Sequence, residues 1–176
     1  ALDNDGYGWT SDIISAVRWA ADNGAHVINL SLGGGGYSQA MADAISYASG
    51  RGSVVVMAAG NSGGMAPEYP AAHAIDHGIA VGAVDSNGSL AGFSNRAGST
   101  QLDYVTAPGV NIYSAVPGGG YDTFNGTSMA TPHVAGVAGL LKSHDGNLSA
   151  SAIEDLLTGS GSNNSISDSD SDSDSD

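Results

Sequence analysis

The residues best suited to chemistry lie in the stretch from Asn125 to Gly136, which reads NGTSMATPHVAG. Within it Ser128 follows a flexible Asn-Gly-Thr run and precedes a small-residue, apolar segment, so we predict that it lies at the start of a helix. Unpaired backbone N–H groups and the helix dipole favour negative charge there, and a hydroxyl so placed can serve as an acyl-transfer nucleophile. Pro132 is expected in the first turn, where its missing N–H costs least. The alternative is a serine that only caps a buried helix.

A second polar side chain with a defined chemical use is Asn61. It follows an apolar run at residues 54–57 and the small residues Ala58, Ala59 and Gly60. An amide at the carboxyl end of a strand can donate a hydrogen bond to an oxygen that gains negative charge during acyl transfer. The alternative for such a run is a strand that ends in an ordinary turn.

The elements that must position these residues alternate between helices and strands. We predict helices from Thr10 or Ser11 to Gly24, from Ser38 to Gly50, from the Ser128 region to about His144, and after a Ser149 cap. Predicted strands cover residues 26–31, 54–57, 79–84, 104–107 and 112–116, the last two around the Pro108-Gly109 turn. Near-continuous Val/Ile runs indicate a parallel sheet covered by helices, that is, a three-layer α/β sandwich. Sites in such sheets form at the carboxyl ends of the strands, where residues 31–33 and 60–61 fall.

Composition narrows the class of protein. The chain has 176 residues, no cysteine and a formal net charge of −14. This charge argues against binding to nucleic acid or to an anionic membrane, and no apolar run is long enough to span a bilayer. Salt adaptation and an ordinary acidic surface both remain open as reasons for the acidity. We predict a folded part at residues 1–159 and a disordered Ser-Asp-rich tail at residues 160–176.

The twelve-residue stretch around Ser128 is similar to the nucleophile motif of the subtilisin-like serine proteases, and Ala58-Ala59-Gly60-Asn61 resembles their oxyanion-hole motif. The resemblance implies catalytic roles for Ser128, Asn61 and Thr127, with the Ser128 backbone N–H as a second oxyanion donor. It covers about residues 1–159 and matches the later two-thirds of such a catalytic domain. It therefore implies a subtilisin-like fold whose N-terminal strands are missing.

The same resemblance implies how a substrate binds. Two backbone segments, Ser31-Leu32-Gly33 and Ala58-Ala59-Gly60, are similar to those that flank an extended peptide and wall the first specificity pocket. Pairing through main chain places little demand on substrate sequence. The resemblance implies a broad preference for apolar or large residues before the cleaved bond.

The chain departs from the family pattern in its base and orienting acid, because neither an Asp-Ser/Thr-Gly nor a His-Gly-Thr-His motif occurs. We expect none of the histidines to act as the general base; they are His26, His73, His77, His133 and His144. The resulting hypothesis is a serine endopeptidase fragment that cleaves polypeptides, with Asp and His in a missing N-terminal catalytic segment. The alternatives are an inactive peptide-binding module with a subtilisin-like groove and a structural surface protein.

The resemblance also implies where the protein acts and which cofactors or metal ions it uses. It implies an extracellular, secreted protein, with attachment to the cell surface left open. It implies no cofactor for the chemistry and no metal among the catalytic residues. A structural Ca²⁺ is expected of the family, and Asp85 with nearby carbonyl groups is the candidate for a weak site here.

Overall fold

Both faces of the central strand are buried, and this arrangement defines the layers of the molecule. In the computed structural model, which describes residues 1–3 and 6–160, this strand is β2 (Val54–Ala58). Val55 and Met57 belong to one apolar core, whereas Val54 and Val56 belong to another. Because successive side chains of a strand point to opposite faces, a fully apolar strand requires cover on each side.

Helices supply this cover. Helices α1 (Thr10–Asp22) and α2 (Gln39–Gly50) pack on the first face, through Val17, Met41 and Ile45. The longer helix α3 (Thr127–His144) and the helix α4 (Ala150–Gly159) pack on the second. The predicted three-layer α/β sandwich is thereby confirmed.

The main sheet contains four parallel strands. Strands β1 (Val27–Leu30), β2, β3 (Ile79–Val84) and β4 (Tyr104–Pro108) lie in that order. Leu30 lies opposite Met57, so the segments after β1 and β2 leave the sheet at the same edge. A short 3-10 helix, Ala71–Ile75, precedes β3.

The predicted strand at residues 112–116 belongs to a separate hairpin. It is β5 (Ile112–Val116), which pairs in antiparallel register with β6 (Gly120–Phe124). No strand is predicted at β6, because no apolar alternation marks its sequence. The structure gives the reason for the missing pattern, since all five of its residues are exposed. Tyr113 and Tyr121 stack on one another, with ring centroids 5.4 Å apart.

Strand β1 lies at the edge of the sheet, since within the described residues it pairs only with β2. The resemblance to the subtilisin-like proteases implies that the missing Asp-bearing strand lies beside β1, which stays a prediction. None of the helices in the described part is both long and apolar enough to cross a bilayer. Of the predicted tail, only Ser160 is described, as the residue that ends α4; residues 161–176 lie outside the described part.

A carboxyl group is buried beneath the sheet. Glu154 of α4 is 5% exposed, and its Oε1 accepts a hydrogen bond of 3.2 Å from the Gly78 backbone N–H. Desolvation raises the pKa of Glu154 above its ordinary value, the Gly78 bond opposes this shift, and nearby Asp103 reinforces it. Desolvation also raises the pKa of Asp103.

The raised pKa of Glu154 predicts a pH-dependent cost to stability. The folded state holds the proton more tightly than the unfolded state, so the free energy of unfolding falls as pH rises from the ordinary glutamate pKa through the folded one. Glu154→Gln should melt above the parent at neutral pH, by roughly 2–4 °C for each ~1 kcal/mol recovered, and the difference should shrink below about pH 4.5. Asp43→Asn, on the exposed face of α2, controls for the loss of one negative charge. A difference in melting temperature that does not vary with pH would contradict the assignment.

Candidate active site

The carboxyl ends of β1 and β2 bring the two predicted wall segments together. Ser31, Leu32 and Gly33 continue from β1, while Ala59 and Gly60 continue from β2. Ala59 is fully buried and extends the sheet through a 2.9 Å bond from its N–H to the Val81 carbonyl. These segments form one rim of the sheet.

Asn61 is joined to the start of α3 by two hydrogen bonds. The Thr127 backbone N–H and hydroxyl both donate to Asn61 Oδ1, at 2.8 and 2.9 Å. The Thr127 hydroxyl oxygen also accepts a 3.2 Å bond from the Gly60 N–H. Thr127 is fully buried, so these three bonds fasten the helix to the strand end without competition from water. Because Asn61 Oδ1 is engaged, the Nδ2 group is the part of the amide that remains to donate.

Helix α3 begins one residue before Ser128, which corrects the predicted place of Pro132. The Asn61 amide takes the capping role for the Thr127 N–H, and Pro132 lies within the helix beyond the first turn. A proline there supplies no N–H to the carbonyl four residues earlier, which is that of Ser128. Pro132 lies on the exposed face of the helix.

Ser128 lies at the positive end of α3. It is partly exposed, and among the described residues its backbone N–H has no hydrogen-bond acceptor. The next two N–H groups, of Met129 and Ala130, donate to the Gly126 carbonyl. This N–H is available beside the hydroxyl, and its role as a second oxyanion donor stays a prediction.

Ser128, Thr127 and Asn61 line one open pocket of about 290 Å³. The pocket is completed by residues from both wall segments and from the loop after Asn61: Leu32, Gly33, Ala58, Gly60, Ser62 and Glu68. Four of the six predicted wall residues therefore lie on this pocket. Ser31 and Ala59 do not: the Ser31 hydroxyl accepts a bond from the Asn29 amide, and Ala59 is inside the sheet.

The loop after Asn61 is held by Asn95, a residue that the sequence analysis did not single out. Asn95 is 1% exposed, and its Oδ1 accepts bonds from the N–H groups of Ser62 and Gly64, at 3.1 and 2.8 Å. Its backbone N–H donates to the Gly60 carbonyl at 3.0 Å. A buried amide that satisfies several backbone groups fixes the path of a loop.

Gly60 fits between these groups only because it lacks a side chain. A Cβ atom there would lie 2.5 Å from Asn95 Nδ2 and 3.0 Å from the Glu68 carboxyl carbon. Its φ of +112° is also in the region that favours glycine. The approach of the loop to Thr127 therefore requires glycine at this position.

The histidines lie away from the pocket, since none of them is among its lining residues. His73 lines a neighbouring cavity of about 630 Å³ and packs against the rings of Tyr37 and Tyr69. Its burial lowers the pKa of the imidazole. His133 directs Nδ1 at the Met129 carbonyl, 2.9 Å away along its own helix. The described residues thus place no imidazole on the Ser128 pocket.

The described residues also contain no group of three or more His, Asp or Glu side chains placed to hold a metal ion. Asp85, the candidate for a weak Ca²⁺ site, uses Oδ1 to accept the N–H groups of Asn87 and Ser89, at 2.8 and 3.0 Å. This carboxylate stabilises its own turn and is not joined there by a second acid. The described residues around Asp85 therefore give no support to the weak Ca²⁺ site, which stays a prediction.

Comparison with curated proteins places these features in a family. The chain is 47% identical over 161 residues to subtilisin DY of Bacillus licheniformis, a match that covers 89% of this chain and 57% of that protein. It is 46% identical over 165 residues to thermitase of Thermoactinomyces vulgaris, which covers 91% of this chain and 57% of that protein. The chain therefore spans a little over half the length of these relatives.

Solved structures that resemble this fold belong to the same kind of protein as these sequence relatives. A cold-adapted subtilisin-like serine proteinase superposes with a TM-score of 0.86 at 43% identity, over 96% of this chain and 60% of that one. Sphericase superposes with a TM-score of 0.79 at 32% identity, over 90% of this chain and 57% of that one. The model of the subtilase family matches residues 1–173. With the serine-bearing helix end, the facing amide and this match in agreement, the chain belongs to the subtilase family.

Proposed function

We propose that this chain carries the nucleophile, the oxyanion donors and the substrate walls of a serine endopeptidase that cleaves polypeptides. The observation that carries the proposal is the pair of bonds from Thr127 to Asn61, because they occupy Oδ1 and leave the Nδ2 group to donate in the pocket that Asn61 and Ser128 both line. Family membership supports the same activity, since the relatives include subtilisin DY and a structure described as a subtilisin-like serine proteinase.

In the proposed reaction Ser128 Oγ attacks the carbonyl carbon of a peptide bond. The carbonyl oxygen gains negative charge and accepts hydrogen bonds from Asn61 Nδ2 and the Ser128 backbone N–H. The C–N bond then breaks, the amine leaves with the proton taken from Ser128, and water hydrolyses the acyl-enzyme. The chemistry requires no cofactor.

The proton from Ser128 needs a base, which we assign to a histidine outside residues 1–176. The position of all five histidines supports this assignment: the part of the chain that the structure describes puts none of them on the pocket. A catalytic Asp would orient that histidine, and both would come from an N-terminal catalytic segment of the complete protein. Residues 1–159 are then part of the peptidase domain, with residues 160–176 as a tail.

The strand ends support an extended substrate. Leu32 and Gly33 line the Ser128 pocket and also the adjacent 630 Å³ cavity, so one groove runs past both. A peptide lying between the segments after β1 and β2 can pair with their main chain.

We further propose that the protein acts outside the cell, where such an enzyme meets polypeptide substrates. We also propose that any structural Ca²⁺ is bound outside the described residues.

A catalytically inactive peptide-binding module is the second candidate, favoured by the lack of an imidazole on the described pocket. The two candidates differ in the chemistry of Ser128, because only the peptidase activates its hydroxyl. Labelling of the complete protein with a fluorophosphonate, with Ser128→Ala as the control, separates them. Ser128-dependent labelling supports the peptidase, and its failure in the complete protein supports the binding module.

The first prediction of the proposed function concerns Asn61. In the complete protein, Asn61→Ala should lower kcat about 10²- to 10³-fold with little change in KM, because the donor acts on the oxyanion and not on the bound substrate. This magnitude is the one known for the oxyanion-hole asparagine of subtilisin, a member of the same family, and we apply it here to Asn61. Steady-state kinetics on a peptide substrate measures both constants. A change confined to KM would instead assign Asn61 to substrate binding.

The second prediction concerns Asn95. Asn95→Ala leaves the Ser62 and Gly64 N–H groups without their acceptor, which should cost on the order of 2–4 kcal/mol and lower the melting temperature by roughly 5–15 °C. Because the same loop positions Asn61, kcat should also fall. Asn87→Ala, in an exposed turn, is the control. Unchanged stability and unchanged kcat would show that the loop holds its path without this side chain.

The third prediction concerns residues 1–176 produced alone. Serine without a base is a weak nucleophile at neutral pH, so hydrolysis of peptides and fluorophosphonate labelling should both stay at background. Mass spectrometry of the labelled protein provides the measurement, with the complete protein as positive control. Stoichiometric labelling of Ser128 in the isolated chain would mean that one of its five histidines serves as the base.

A further inference from the structure

The Ser128 pocket contains one type of charge. Of the residues that line it, Glu68 is ionisable, and none is Lys, Arg or His. Its remaining walls are apolar or carry neutral hydroxyl, amide and backbone groups. A side chain that enters the pocket therefore meets a carboxylate without a lining cation to neutralise it.

The Glu68 carboxylate is held in a defined position. Its Oε1 accepts a 2.6 Å bond from the Ser62 hydroxyl and a 3.3 Å bond from the amide of the buried Asn95. The Glu68 backbone N–H donates to the Ala59 carbonyl at 2.8 Å, so the residue is also tied to the strand end. Both bonds to the carboxylate fall on Oε1. Among the described residues Oε2 has no donor, which leaves it available to a ligand.

The position of this carboxylate relative to Ser128 defines which part of a substrate it meets. The carbonyl attacked by Ser128 must lie beside Asn61, and both residues share the pocket with Glu68. The side chain on the same residue as that carbonyl is the one within reach of the pocket. Resting on the proposed peptidase function, we propose that Glu68 makes the enzyme prefer lysine or arginine on the residue whose carbonyl Ser128 attacks.

Electrostatics favours this occupant over an apolar one. A substrate cation would form a charge-assisted hydrogen bond with the fixed carboxylate, whereas an apolar side chain would remove water from that carboxylate and offer nothing in return. The formal net charge of −14 adds a general attraction for cations. The family resemblance implies a preference for apolar or large substrate residues before the cleaved bond. In this chain Glu68 changes that preference to a basic residue.

The test uses the complete protein and two peptides that differ only in the residue before the cleaved bond, lysine in one and methionine in the other. We expect kcat/KM to be about 10- to 100-fold higher for the lysine peptide. Glu68→Gln keeps the size and the Oε1 acceptor while it removes the charge, so this ratio should fall to near one or below. Asp12→Asn, an exposed acid on α1, should leave the ratio unchanged and separates local from overall charge.

A binding measurement separates failure of the proposed peptidase function from failure of the lysine preference. If neither peptide is cleaved, the proposed peptidase function fails, and fluorescence anisotropy of the labelled peptides on the Ser128→Ala protein tests the pocket by binding alone. Tighter binding of the lysine peptide that Glu68→Gln abolishes supports the proposal. A preference for methionine, or a lysine preference that survives Glu68→Gln in a variant with unchanged melting, overturns it in either assay.

Discussion

The hydrogen bonds from Thr127 to the Asn61 side chain are the constraint on which the site depends. They join residues that are 66 positions apart in the chain, and they join a strand end to a helix start. Each neutral bond contributes only about 1 kcal/mol net, but an unmade bond at the buried Thr127 would cost more than that. The start of α3, the orientation of the Asn61 amide and the exposure of Ser128 all follow from this one junction.

Much of the architecture could be predicted from local sequence. The predicted bounds of β3 are the observed ones, and Ser149 caps its helix as expected, with a hydroxyl that accepts the Ala152 N–H. Ser38, the predicted start of the second helix, proves to be its cap and accepts the Met41 N–H. These features are encoded within a few residues by apolar runs and capping chemistry. The serine and amide of the site were identified from longer motifs of the same local kind.

What the sequence could not predict depends on contacts between distant residues. Asn95 reaches the loop after Asn61 across 33 positions, and Glu68 bonds to Asn95 across 27, so no spacing along the chain marks either of them. Pro132 was misplaced because the cap of α3 comes from Asn61 and not from a neighbouring residue. The hairpin strand β6 is not predicted from the sequence, because its residues are all exposed and show no alternation of buried and exposed positions.

Asn95 couples two properties that are often treated separately. Its Oδ1 fixes the loop that carries Asn61, while its Nδ2 holds the carboxylate of Glu68. In the proposed enzyme the first contact would affect the rate of the reaction and the second the choice of substrate. A substitution at Asn95 would therefore disturb both at once, whereas Glu68→Gln keeps an acceptor for the buried Asn95 amide and leaves the loop intact. The charge in the pocket can thus change at small structural cost, provided that this acceptor remains.

The outer edge of β1 can pair with one further strand. Its backbone groups on that side point along the sheet plane, and a parallel strand added there would lie about 4.8 Å away. Such a strand would end beside Leu30 and Ser31, at the rim that leads to Ser128. Within the described residues this edge is unpaired, and the proposed function would place the proton-transfer residues there. A side chain at the end of one docked strand would then lie on the same rim as Ser128, beside the walls that the present chain already supplies.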